Sequence, residues 1–248
     1  MITHLFLKGR LRHLLSAGEC ARLESAVART VTVPERTRVI ARGERIDVST
    51  YLIRGVMLRS NDDLDGGRQL LNIQIAGDFV DLHGFPMKRL DHDVGTLTEC
   101  EIAVVPHDAL RAIMAEEPHL ARLLWFSTLL DAAMHREWIF RLGRLGADGR
   151  LAHFFCELNV RLEMVGLAEN GRFELPLTQP DLAEACGLTG VHVNRVLRDL
   201  RERNLMTFRS GQVEILDVAG LASVAEFESD YLYADMSHWT TVRAAHSI

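Results

Sequence analysis

Hydrophobic positions change their spacing twice along this chain. Up to about Ala109 they fall in short runs rich in β-branched residues, Val31-Thr-Val, Thr37-Arg-Val-Ile, Thr50-Tyr-Leu-Ile and Glu101-Ile-Ala-Val-Val, punctuated by Gly43, Gly55, Gly66-Gly67, Gly77 and Gly95. Short strands with regular turns predict an all-β sandwich or roll. From Pro118 to about Leu142 the spacing becomes helical. Leu120, Leu123, Leu124, Ser127, Leu130, Met134 and Trp138 share one face, and Trp125, Phe126, Leu129, Ala133 and Phe140 another. A helix covering one core needs a single apolar stripe. The two faces therefore suggest that one packs on the β domain and the other on the same helix of a second subunit, with Leu123, Ser127, Leu130, Met134 and Trp138 taken as the dimer contact. A helix buried wholly within one subunit is the alternative.

The third pattern, Thr178 to Leu205, predicts a helix-turn-helix. Thr178 reads as an N-cap with Asp181 three residues on and Pro180 in the first turn, and Thr189 as the cap of a second helix. Ala183 is small where the helices would cross, and Gly187 stands where the turn needs positive φ. Leu182, Cys186, Leu188, Val193, Val196 and Leu200 supply the apolar contacts. After it, the runs Leu205 to Arg209 and Gln212 to Leu216 flank Ser210-Gly211, a tight hairpin signal, and Phe173 to Leu177 follows the Asn170-Gly171 turn. Together these predict a winged version of the motif.

At about 100° per residue, Val193, Val196, Leu197 and Leu200 turn inward, leaving Val191, Arg195, Arg198 and Glu202 opposite, flanked by His192 and Asn194. Such a helix reads DNA from the major groove. A guanidinium can fork onto guanine O6 and N7, which favours Arg195; Asn194 suits a base edge, and Val191 a thymine methyl. Thr189, His192 and, on the wing, Arg209 are placed for phosphates. Arg198 lies on the same face, either toward DNA or in a solvated pair with Glu202.

Composition narrows the classes. The 248 residues are 48% hydrophobic with a formal charge of −6, a globular chain long enough for two domains. An acidic total argues against generic nucleic-acid binding. Residues 189–211, however, hold five arginines against Asp199 and Glu202, a local +3 that leaves −9 elsewhere. Attraction to DNA should thus be local and salt-sensitive. Cys20, Cys100, Cys156 and Cys186 form no CxxC pair, so local spacing offers neither a zinc site nor an iron–sulfur cluster. Basic residues interrupt the N-terminal apolar run, and Arg122 and Asp131 interrupt the stretch Leu120 to Met134. No signal peptide or membrane span is expected, and the expected location is cytoplasmic. The turn Asn61 to Gly66 imitates an EF-hand opening, but the twelfth position is Asn72 rather than Glu, which favours a plain hairpin.

The order of parts resembles the Crp/Fnr family of bacterial transcription regulators. Gly187 to Leu197 looks like its recognition-helix pattern, Gly77-Asp-Phe79 its β-roll glycine turn and Cys100-Glu-Ile-Ala its last roll strand; Gly77 to Val94 further resembles a subgroup common in alphaproteobacteria. The resemblance implies an α+β architecture: an N-terminal double-stranded β-helix like a cyclic-nucleotide-binding β-roll over residues 1–116, a dimerisation helix over 117–145, a C-terminal winged helix-turn-helix over 146–226, and a tail over 227–248 that includes Tyr231, Tyr233 and Trp239. It also implies a homodimer on an inverted repeat of double-stranded DNA, and contact with RNA polymerase if the protein activates transcription.

Departures limit what carries over. Where cyclic-AMP-responsive members have a glutamate and an Arg-Ser pair, this chain has Leu82 and Leu90-Asp91; where oxygen sensors carry a cysteine cluster, only Cys20 is present. No cofactor is certain and the effector is unassigned, the roll being expected to sense a small molecule or a redox or gas signal without the cyclic-AMP or iron–sulfur motifs. Asp81, His83 and Arg89 are candidates for a small-molecule pocket or for transmitting a signal to the helix; His83, His92 and His107 are capable of holding a metal or haem, against a default of surface or hydrogen-bonded histidines. Val191 replaces the glutamate that most members use for base contact, which predicts an altered base preference. Two other classes stay open: a protein-interaction module without sequence-specific DNA binding, and, remotely, a cupin-like metal enzyme. The second lacks the closely spaced histidines such enzymes need, and no catalytic motif is present.

Overall fold

The computed structural model describes residues 1–234. The chain divides into two compact units, Met1–Trp138 and a second from Ile139 onward.

In the first unit the strands are β1 (Arg29–Val33), β2 (Arg38–Ile40), β3 (Val48–Arg54), β4 (Val56–Asp62), β5 (Arg68–Ile75), β6 (Asp93–Thr96) and β7 (Cys100–Pro106). All pairings are antiparallel, in two sheets ordered β1-β7-β3 and β2-β6-β4-β5. Leu52, Met57, Val80, Val94 and Ile102 fill the space between them. Gly55 turns β3 into β4 at φ +101°, where a Cβ would stand 2.6 Å from Glu99 O, so only glycine fits. The β4–β5 hairpin closes through Asp63, whose Oδ1 accepts from the N–H groups of Asp65 and Gly67, and the EF-hand imitation is an Asx turn.

Helices join the strands. They are α1 (Ala17–Ser25), the short α2 (Gly84–Met87), α3 (His107–Glu116) and α4 (Pro118–Arg144). The all-β expectation omitted α1, whose single large apolar residue, Leu23, gives the sequence little to mark it; its start is set by a capping box between Ser16 and Glu19. A second apolar cluster, including Phe6, Leu23, Tyr51, Phe79, Leu110, Ile113, Leu120 and Leu124, packs α1, α3 and α4 on the β1-β7-β3 sheet.

The faces of α4 require a correction. Leu123, Leu130, Met134 and Trp138, assigned to a dimer contact, are buried within the single chain, and Ser127 is half-buried. Exposed apolar side chains fall instead on the second face, Trp125 at 63% and Leu129 at 50% exposure, followed by Ile139 and Phe140. Both faces are apolar in sequence, so periodicity alone could not say which one the subunit's own core would take.

The second unit is built around α5 (Ala147–Val165), with Leu151, Phe154, Phe155, Leu158 and Leu162 buried. Around it lie β8 (Ala168–Glu169), β9 (Arg172–Glu174), α6 (Gln179–Cys186), α7 (Gly190–Glu202), β10 (Met206–Arg209), β11 (Gln212–Ile215) and α8 (Val218–Ala225). The small sheet runs β10-β11-β9-β8. Gly149 lets α8 approach α5 closely, since a Cβ there would lie 3.2 Å from Val224 O. Residues 227–234, placed in a tail by sequence, pack on α5. Tyr231 donates to the buried Glu157 at 2.9 Å and stacks on His153, with Phe227 edge-on to the same histidine. Trp239 lies outside the described residues.

Candidate nucleic-acid interface

Local capping sets α6 and α7. Thr178 Oγ1 accepts from Asp181 N–H, and the Asp181 carboxylate accepts from Thr178 N–H at 2.8 Å, a reciprocal box that satisfies two first-turn donors. Gly187 ends α6 at φ +59°, and Leu188 N–H returns to Ala183 O at 2.9 Å. Thr189 Oγ1 accepts from His192 N–H to start α7. Between the helices Leu182, Ala183, Ala185, Cys186, Val193, Val196 and Leu200 are buried. Leu197, assigned to the inward stripe, is half-buried at its edge.

On the opposite side of α7, Val191, His192, Asn194, Arg195 and Arg198 are exposed, Val191 at 80%. Among the described residues no acidic side chain pairs with Arg195, Arg198 or Arg209, and the Arg198–Glu202 pair weighed from sequence does not form. Arg203 behaves differently, held by Asp199 at 3.2 Å and near Asp148 at 3.9 Å. The Asn194 amide donates to Gln179 Oε1 of α6 at 2.8 Å, so this side chain is clasped to the first helix. In the wing, Arg209 opposes Gln212 across a turn made by Ser210 and Gly211, both at positive φ, as a two-residue hairpin of primed type requires.

Two supports of this face were missed from sequence. Buried Arg141 donates to Ala185 O at 2.8 Å and lies over the Phe154 ring, while Arg150 reaches Cys186 O at 3.5 Å and Gly187 O at 3.4 Å. Cations on the carbonyls that end α6 satisfy its last turn and complement its dipole. The signal available was two arginines flanking the start of a helix whose first half is rich in apolar residues.

In the first unit the candidate effector residues separate. Asp81 is fully buried with Oδ1 accepting from Thr50 N–H at 2.5 Å, and burial raises its pKa to about 6 despite that bond. His83 is half-buried, its ring 5.3 Å from that of His92, and burial followed by the nearby Arg59 charge lowers its pKa to about 4. Arg89 is exposed, bridged through its backbone to Arg45. What lies beside Asp81 and His83 is an ion pair unseen in the sequence. Arg59 of β4, only 1% exposed, binds Asp131 of α4 at 2.7 Å and Val80 O at 2.8 Å. Burial pushes the Asp131 carboxyl up, but Arg59, His135 and His83 together outweigh it and the net shift is down. His107, held by Lys88 and Ser49, lies elsewhere in the unit. No group of three or more His, Cys, Asp or Glu among the described residues is placed to hold a metal ion. Burial drives the Cys156 thiol to about 12 and the Cys186 thiol to about 11, which keeps both protonated and unreactive.

A β-roll, a long helix and a winged helix-turn-helix with an arginine-bearing reading face define the class: a DNA-binding transcription regulator. Residues 149–224 match the Crp-like helix-turn-helix domain. A "Probable transcriptional activator" of Rhizobium leguminosarum bv. viciae is 32% identical over 165 residues, covering 66% of this chain and 67% of that protein. The transcriptional activator protein FnrL of Cereibacter sphaeroides is 29% identical over 198 residues, covering 77% and 78%. Among solved structures, FixK2 from Bradyrhizobium japonicum superposes with a TM-score of 0.73 at 22% identity, over 80% of this chain and 97% of that one. The chain belongs to the Crp/Fnr family. Members of the family are DNA-binding regulators rather than enzymes, and no helix among the described residues is long and apolar enough to cross a membrane.

Proposed function

We propose that the protein acts as a cytoplasmic homodimer that reads an inverted repeat, with Arg195 forked onto a guanine and Val191 against a thymine methyl. Thr189, His192, Arg198 and Arg209 hold phosphates, and Asn194 contacts a neighbouring base edge. The observation that carries this reading is the exposure of Arg195, Arg198 and Arg209 on α7 and the wing, with no acidic partner among the described residues, in a chain whose total charge is negative. In this reading residues 1–116 form the sensing roll, 117–145 the dimerisation helix and 146–226 the DNA-binding domain. The exposed Trp125 and Leu129 of α4 supply the dimer contact, and RNA polymerase is the further partner at activated promoters.

The roll's input is a small molecule whose signal reaches α4 through Arg59 and Asp131. The high thiol pKa values of Cys156 and Cys186 weigh against a cysteine-based redox input at those two positions. Selection of sites from random DNA followed by affinity measurement tests the whole reading. Arg195→Ala is expected to weaken the selected site by about 1–3 kcal/mol, roughly five- to 150-fold, with an unchanged melting temperature. An affinity equal to the wild type's, or no enriched sequence at all, refutes it. Emergence of the half-site read by glutamate-bearing relatives would refute the role of Val191.

A further inference from the structure

Cations of the first unit differ in whether a carboxylate accompanies them. Inside the roll Arg59 has Asp131 as its counter-ion. On the outside a cavity of about 400 Å³ is lined by Arg45, Asp47, Lys88, His107, Asp108 and Arg111, with apolar residues at the start of β3 and the end of β7 completing the wall. That volume admits a small metabolite.

Lys88 is the built part of this site. It follows α2 at φ +64°, a left-handed position natural to glycine and strained for lysine. Its backbone is fixed on both sides, Lys88 N–H to Gly84 O at 2.8 Å and Ile46 N–H to Lys88 O at 3.0 Å. The ammonium lies 4.8 Å from the Phe85 ring centroid and donates to His107 Nδ1 at 3.1 Å. An ammonium only donates, so His107 accepts at Nδ1 and carries its proton on Nε2, toward Ser49 Oγ at 3.3 Å. Burial, then the Lys88 charge, lowers the His107 pKa and keeps it a neutral acceptor. Lys88 therefore retains N–H bonds for the cavity.

Among the described residues no carboxylate lies within ion-pair distance of Lys88 or Arg45. Arg45 also faces Arg89 across an isolated bridge, like charges opposite one another. Of the two carboxylates in the wall, Asp108 is bound by Arg111 at 2.5 Å, which leaves Asp47 alone against two cations. We propose that this cavity binds the oxyanion group of a small metabolite, a phosphate or a carboxylate, with Lys88 as the central donor and Arg45 as the second cation.

The test uses the full chain without DNA, so that it fails or succeeds separately from the reading of α7. Inorganic phosphate and succinate are titrated against chloride of equal ionic strength, following thermal melting and calorimetric heat. At least one of the two is expected to stabilise the protein saturably, phosphate alone marking a phosphorylated ligand and succinate alone a carboxylated one. Arg45→Gln and Lys88→Gly are each expected to weaken that response at least tenfold. Lys88→Gly, relieved of its left-handed strain, should melt no lower than the wild type before ligand is added; if it does melt lower, Arg45→Gln decides. A response equal to that of chloride, or one undiminished in both variants, overturns the proposal.

Discussion

Asp81 has one carboxylate oxygen on Thr50 N–H and the other without a hydrogen-bond partner among the described residues. Burial raises its pKa from 3.8 to about 6, so between those values the folded chain binds a proton that the unfolded chain has released. Stability from this group is complete below about pH 4, declines as pH rises to about 6, and is constant above; two pKa units are at most about 3 kcal/mol. Asp81→Asn keeps an acceptor for Thr50 and removes the charge. It is expected to stabilise the protein by about 1–2 kcal/mol at pH 7.5 and by nothing at pH 4, read from denaturant unfolding at the two pH values. An advantage independent of pH would show that ionisation is not the cause. From sequence, Asp81 and His83 look like ligand groups because polar residues near a roll suggest a pocket. Arg59 and Asp131, 72 residues apart, place a buried ion pair in that region, and nothing local in the chain announces their meeting.

Helix α4 presents two apolar faces that hydrophobicity ranks alike and tertiary packing separates. Met134 is buried in the subunit and Trp125 is not. Trp125→Glu with Leu129→Glu should therefore leave folding intact and convert a dimer to monomer, measured by light scattering. Met134→Glu should instead destabilise the subunit by about 3 kcal/mol or more through an unpaired buried charge. Loss of the fold in the first variant, or of the dimer alone in the second, would reverse the assignment of faces. By contrast α6 and α7 were readable in the chain to within a residue or two. Their limits are written in Thr178, Asp181, Gly187 and Thr189, each acting on backbone groups within four positions. Arg141 and Arg150 escaped because the carbonyls they hold lie 36 to 44 residues away.

Over the whole molecule the net charge is negative while residues 189–211 are locally positive, so DNA affinity should come from few phosphate contacts. Arg209→Ala in a dimer is expected to reduce the salt slope of binding by about 2 and to weaken all sequences alike, whereas Arg195→Ala narrows the gap between specific and random DNA. An Arg209→Ala effect confined to one sequence would argue against a wing–phosphate contact. The clasp between Asn194 and Gln179 bears on how such a protein finds its site. While it travels along random DNA on phosphate contacts the clasp can stay shut, and only a base that offers the amide an equivalent partner opens it. If Asn194 reads a base as proposed, one hydrogen bond replaces another with little net heat, and the residue would act as a checkpoint in the search more than as a source of grip.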